Sequence, residues 1–182
     1  MDVDKAIMER RSIRHFKKKD VSWKKINEIL ESFIYAPCAG EVQNWKLVVL
    51  KNNGKLNESC YQQGPVVESN FLVVVCSDDT ELIRLYKNQG KFFGIQNNAA
   101  GIQNIMLKAH SMKIGSCWIG AYDEDKIKEV LKIPEKIGIH AVIAFGYPDV
   151  KPKMPLRASL MDVVNFDEFG NKKRNTFPLI KK

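Results

Sequence analysis

Residues 71–76 read Phe-Leu-Val-Val-Val-Cys, six apolar residues in a row. The run is short and rich in β-branched residues, the pattern of a strand buried in a protein interior rather than of an amphipathic helix. Trp45–Leu50 (WKLVVL) and Ile139–Pro148 (IHAVIAFGYP, ended by Gly146 and Pro148) have the same character. Ser116–Tyr122 (SCWIGAY) reads as a short strand or an extended loop. Helical periods lie between these runs. In VSWKKINEILESFIYAP, residues 21–37, the stripe Ile26, Ile29, Leu30, Phe33 and Ile34 predicts one amphipathic helix. Ser22 is placed to cap it, Val21 to staple against Ile26, and Pro37 to limit it. In GIQNNAAGIQNIMLKAHSM, residues 94–112, the predicted buried face is Ile95, Ala99, Ile102, Met106 and Ala109. Its small residues Ala99, Ala100 and Gly101 permit close approach of another helix. Asp123 is expected to cap a third helix carrying Ile127, Val130 and Leu131. Asp78 and Asp79 precede an amphipathic segment, Leu82–Tyr86, and residues 51–70 suit a short helix or a loop. The order of elements predicts α+β or mixed three-layer packing. No repeat or linker divides the chain, so one domain over residues 1–182 is expected, with a Pro- and Lys-rich tail from residue 149.

Composition excludes more than it assigns. At 182 residues the chain is long enough to bury roughly 70% of its surface. The net charge is +8, partly in the tail NKKRNTFPLIKK and otherwise scattered among Glu and Asp. No zinc-finger, RRM or KH signature accompanies it, so nucleic acid is not the expected partner. No apolar run reaches the ~20 residues of a membrane span, and no apolar signal core follows Met1. A cytoplasmic protein is expected, without membrane contact. Cys38, Cys60, Cys76 and Cys117 are dispersed with no CxxC pair, which predicts free thiols and no structural metal. There is no GxGxxG, Walker loop, GxSxG or HExxH, so no side chain is put forward as a hydrolytic nucleophile or base.

Three clusters remain. MERRSIRHF, residues 8–16, gathers Arg10, Arg11, Ser12 and Arg14. Guanidinium forks match phosphate oxygens, so the cluster is either a solvated basic corner or a cradle for an anion. APCAGEVQNW, residues 36–45, combines a Pro-Ala-Gly bend with Gln43 and Asn44. It is either a plain helix-to-strand turn or a place where backbone approaches a ligand. GSCWIGA, residues 115–121, puts glycines on both sides of a segment that suits a planar ligand or an ordinary core strand.

Taken in this order, the clusters resemble the FMN-dependent nitroreductase family of the short bacterial and archaeal type. RRSIRHF is similar to the family's RRSxRxF, and APCAGEVQNW to its APSxxNxQPW. The 99–135 segment, AAGIQNIMLKAHSMKIGSCWIGAYDEDKIKEVLKIPE, is similar to its central helix, GxxxxW segment and next helix. HAVIAFGYP is similar to its strand ending in GYP, and KPKMPLRASLMDVVNFDEFG to its RxPLxxxV tail. The resemblance implies a three-layer fold with a mostly antiparallel sheet flanked by helices. It also implies a homodimer in which the C-terminal arm, residues 149–182, is exchanged. The implied activity is ping-pong electron transfer from NAD(P)H through FMN to a nitroaromatic, quinone or related electrophile. A specialised flavin reaction such as enoate reduction or dehalogenation, and flavin storage without turnover, stay open as alternatives.

By the resemblance, Arg10, Arg11, Ser12 and Arg14 hold the flavin phosphate and pyrimidine edge. Pro37, Cys38, Ala39, Gly40 and Gln43 pack on the ring from the partner subunit. Trp118, Ile119 and Gly120 lie near N5, and Lys153 stands where relatives carry a phosphate-binding arginine. No protein acid–base residue is implied, because the cofactor carries the chemistry. Glu41 is expected at the substrate pocket, with Tyr86, Phe92 and Phe93 as an aromatic cover or, as is commoner at their helical spacing, as core. Cys38, Glu41 and Asn44 stand where the family has serine, asparagine and proline, and Lys113 where a helix-ending glycine is common. Glu41 is expected to face solvent or a basic residue.

Overall fold

In the computed structural model, which describes residues 1–173, the strand-like runs become β1 (Trp45–Lys51), β2 (Phe71–Ser77), β3 (Gly115–Ile119) and β4 (Gly138–Gly146). They form one sheet in the order β1-β2-β4-β3, and each pairing is antiparallel. β2 is paired on both sides and all seven of its residues are buried. Alternate residues feed two apolar layers, as a pleated strand requires. Phe71, Val73 and Val75 join Ile143 and Phe145 in one layer; Leu72, Val74 and Cys76 join Val142 and Ala144 in the other.

Helices cover both faces. They are α1 (Val3–Glu9), α2 (Trp23–Glu31), α3 (Gly64–Glu68), α4 (Thr80–Tyr86), α5 (Gly90–Ser111) and α6 (Glu124–Leu131). α2 and α5 supply Ile26, Ile29, Ile102, Ile105, Met106 and Ala109 to the first layer. α3 and α6 supply Val66 and Ile127 to the second. The fold is therefore α+β in three layers.

Two of the expected helices differ in detail. α2 stops at Glu31 and the chain tightens into a 3₁₀ turn over Ser32–Tyr35. At three residues per turn the stripe shifts: Phe33 enters the core, while Ile34 and Tyr35 stay exposed. Ser22 holds the N-cap position without a side-chain bond, and Val21 and Ile26 are both fully buried. On α5 the apolar face begins at Ile102, not at Ile95, which is exposed. The preceding turns instead bury Asn97 and Asn98. The helix–helix approach expected at Ala99–Gly101 takes the form of the Phe33 ring lying on Gly101, where a methyl group would collide with it. Asp123 caps α6 by accepting from the Lys126 N–H at 3.1 Å. Lys113, just past α5, adopts the left-handed φ of 62° that favours glycine.

The chain divides into two compact units, Met1–Pro152 and Lys153–Lys182. All the elements above belong to the first. The described part of the second holds one short helix, α7 (Leu160–Val163), closed by a capping box of Ser159 and Asp162. The Lys172 ammonium donates to the carbonyls of Met161, Asp162 and Val164 at its other end. Residues 174–182 of the expected arm lie outside the described residues. Among the described residues no helix is long and apolar enough to cross a membrane.

Candidate functional site

The basic cluster follows α1 as a segment that meets β3 at Ser116 and then passes to the end of β4. Ser12 bridges Ser116 in parallel, and the Ile13 N–H donates to the Ser116 carbonyl at 2.9 Å. Ile13 packs on Gly115, where a Cβ would stand 2.6 Å from its side chain. The segment is tied again downstream, where Phe16 bridges Pro148 and the Lys17 N–H donates to the Tyr147 carbonyl at 2.9 Å. After the Ser12–Ser116 bridge the segment turns towards the Gly115 end of β3, where Ile13 lies on Gly115 and Phe16 on the paired Gly146.

The arginines differ in their tasks. Arg11 Nη1 donates to the carbonyls of Met8 and Arg10, both at 2.7 Å, and so closes the end of α1. Arg10 is half-buried and Arg14 exposed. Burial raises the Cys117 thiol pKa, and the positive charges of Arg14 and Arg10 oppose that rise, so both guanidinium groups act on β3. Burial lowers the His110 pKa; Glu9 opposes this, while Arg10 and Arg11 add to it. Trp118 is 40% exposed, Ile119 is buried, and Gly120 is open, with nothing within 4 Å of a Cβ built there.

A second group forms elsewhere in the same unit. Pro37, Cys38 and Ala39 line an open hollow of about 310 Å³ with Phe93, Gln96, Asn97 and Ala100 of α5. A 3₁₀ turn over Ala39–Glu41 follows, in which Gly40 and Glu41 take left-handed φ of 57° and 58°. The Tyr86 hydroxyl lies against Gly40 so closely that a Cβ would collide with it. Tyr86 also meets Phe93 edge-on, with ring centroids 5.0 Å apart. Phe92 is exposed, 6.3 Å from Phe93 between centroids. Glu41 and Gln43 are exposed. Burial raises the Cys38 thiol pKa, and the Glu41 charge adds to that rise.

The structure thus brings Ser12 to Ser116 and the charges of Arg10 and Arg14 to Cys117 on β3, beside Trp118–Gly120 in sequence, and Pro37–Gly40 to Tyr86 and Phe93. It keeps the two groups apart at their anchoring points on α5. Asn97 receives the Ala39 N–H at 2.9 Å, whereas His110 feels Arg10 and Arg11. From residue 97 to residue 110 the helix rises about 20 Å. Lys153 begins the second unit.

A network of buried polar residues lies under the turn. Asn44, 3% exposed, donates to Ser77 Oγ at 2.6 Å and to Asp79 Oδ1 at 3.2 Å, and accepts from Asn97 Nδ2 at 2.7 Å. The neighbouring Asn98 donates to the Cys76 carbonyl at 3.2 Å and to His140 Nδ1 at 2.8 Å. For Asn97 and Asn98 the only sequence signal is negative: the helical period fails to place an apolar residue at 97 or 98.

His140 makes one testable contribution. Burial holds its pKa below the ordinary 6.5, while the charges of Asp79 and Glu124 pull it upward. The unfolded chain therefore takes up this proton first, and stability falls as pH drops from 6.5 towards the lowered folded value. Urea midpoints measured at pH 7.5 and pH 5.5 should drop less in His140→Gln than in the parent protein; an equal drop would remove His140 as a cause.

Among the described residues no group of three His, Cys, Asp or Glu side chains is placed to hold a metal ion. Residues 7–147 match the Nitroreductase family. A protein of Methanothermobacter thermautotrophicus, provisionally named NADH dehydrogenase/NAD(P)H nitroreductase, is 33% identical over 159 residues, covering 84% of this chain and 80% of the relative. The FMN reductase (NADPH) of Bacillus subtilis is 27% identical over 188 residues, covering 90% and 76%. The crystal structure of nitroreductase A from Vibrio parahaemolyticus superposes with a TM-score of 0.84 at 21% identity, covering 94% of this chain and 78% of that one.

Proposed function

The chain belongs to the nitroreductase family and is an oxidoreductase, and on that premise we propose that it carries FMN and passes electrons from NAD(P)H to nitroaromatic, quinone or related electrophiles by a ping-pong cycle. One observation carries the reading. The arginine-bearing segment is pinned to β3 by the Ser12–Ser116 bridge, and the charges of Arg10 and Arg14 act on Cys117, the residue before the half-exposed Trp118 and close in sequence to the open Gly120. The donor set fits an anionic, planar group: guanidinium forks suit a phosphate, and an uncovered strand end leaves room for a flat ring against backbone.

Bound there, a flavin supplies two-electron hydride transfer. Arg10, Arg11, Ser12 and Arg14 would bind and orient its phosphate and pyrimidine edge. Their positive charge favours the electron-rich oxidation state. Trp118, Ile119 and Gly120 would flank the reactive edge. Pro37, Cys38, Ala39, Gly40 and Gln43 would come from a second copy of the chain, as would the cover made by Tyr86 and Phe93; Glu41 and Phe92 would border the substrate. Two features support a dimer. The two groups have anchors about 20 Å apart on α5. Val3, Ile7 and Met8 on α1, with Phe92 and Ile95 on α5, remain exposed apolar surface. Lys153 would reach the phosphate. A cytoplasmic location accords with this reading.

The test is spectroscopic. Protein loaded with one FMN per chain is titrated without oxygen with NADH or NADPH. Bleaching of the flavin band, reversed by an added quinone, is expected. Loaded protein that neither nicotinamide bleaches would leave flavin storage as its role.

A further inference from the structure

Asn97 sits inside a helix, 4% exposed, and spends its side chain on a loop. Its Oδ1 accepts from the Ala39 N–H at 2.9 Å. Its Nδ2 donates to the Val42 carbonyl at 3.3 Å and to Asn44 Oδ1 at 2.7 Å. Residues 39 and 42 are the two ends of the turn whose middle residues are both left-handed. One amide therefore holds both ends of a turn that contains a non-glycine residue at positive φ. Such a backbone persists only where its surroundings over-determine it.

The amide is itself held. Asn44 accepts from Asn97 and donates to Ser77 and Asp79, and the Ser77 hydroxyl donates to Asp79. Asp79 precedes α4, whose last residue, Tyr86, roofs Gly40. A single chain of bonds thus links the floor of the turn to its cover. Proline at position 44, the usual residue of the resembled motif, has no side-chain amide for Asn97. It also has no N–H for the Val42 carbonyl, which Asn44 N–H reaches at 3.1 Å. The turn is held here by a device that a proline cannot supply.

We infer that Asn97, fixed by Asn44, is a positioning residue that sets the Ala39–Val42 turn in the shape that receives the flavin ring. The inference rests on the proposed flavin site. It assigns the ring, not the phosphate, to this turn, so Asn97 acts on riboflavin and FMN alike.

The test compares Asn97→Ala with the parent full-length protein in two measurements. Hydrogen exchange at the Ala39 amide should quicken about tenfold, the scale of one buried hydrogen bond, while β2 amides hold their rates. Affinities for FMN and for riboflavin should both fall about tenfold, leaving their ratio unchanged. Asn44→Ala keeps both turn bonds but frees the Asn97 amide; it should give the same pattern, smaller, and it decides the matter if Asn97→Ala does not fold. An unchanged Ala39 rate, faster exchange throughout the protein, or a faster Ala39 with unaltered flavin affinity would each overturn the inference. Failure of the parent protein to bind either flavin sinks the cofactor reading instead, and the Ala39 rate still reports whether Asn97 holds the turn.

Discussion

Arg10→Ala combined with Arg14→Ala will give a folded protein that binds FMN at least a hundredfold more weakly, roughly, than the parent. Each charge-assisted hydrogen bond to a phosphate contributes about 1.5–3 kcal/mol, and two lost together multiply in the dissociation constant. The fold should survive because the backbone of this segment does the structural work. Ser12 bridges Ser116, Ile13 packs on Gly115, and Phe16 packs on Gly146, where a Cβ would lie 2.9 Å from its ring. None of these contacts uses the two substituted side chains. Arg11 is left in place deliberately, since it closes α1 through the Met8 and Arg10 carbonyls. Riboflavin, which lacks the phosphate, should lose much less affinity than FMN in the same variant. The parent's FMN affinity should also weaken with added salt, because exposed Arg14 is open to screening. Fluorescence titration with both flavins and a urea melt read all of this. Undiminished FMN affinity would show that these arginines form only a solvated corner.

The layered core was legible because its signal is local. An unbroken apolar run such as 71–76 has one cheap solution, a strand covered on both faces, and β2 adopts it. Ile26 and Ile29 repeat at helical spacing and are buried on α2. Ile34 and Ile95 follow the same arithmetic and are exposed, because a periodic stripe does not register a switch to 3₁₀ geometry or a helix face turned to polar neighbours. The arginine cluster was conspicuous as composition, but its role depends on the Ser12–Ser116 bridge, a contact that no local pattern encodes. Asn44 stood out as a polar residue of the bend and as a departure from a resembled motif, neither of which names its buried partners. Asn97 stood out not at all, since a buried amide is informative only once its partners are known. The helical spacing of Tyr86 and Phe93 suits core more often than cover; the Gly40 contact is what places Tyr86 over the turn.

Ending the chain at Pro152 will turn a dimer into a monomer, with FMN affinity reduced at least about tenfold. The first unit should fold without the rest, since both apolar layers lie within Met1–Pro152. The second unit has little interior of its own. Leu156 and Phe169 are 101% and 99% exposed, and Leu160, Met161 and Val163 are largely exposed as well. The segment spends a capping box and the Lys172 ammonium on a four-residue helix and gathers no apolar interior of its own among its described residues, which on the proposed reading suits it to cover another copy. On that reading, an arm exchanged between copies would supply that partner and carry Lys153 to the phosphate. Sedimentation of the full and shortened chains, with and without FMN, reads the outcome. A shortened chain that stays dimeric would show that the α1 and α5 surfaces hold the copies together unaided. One that becomes monomeric yet keeps full FMN affinity would remove Lys153, and the second copy with it, from the cofactor site.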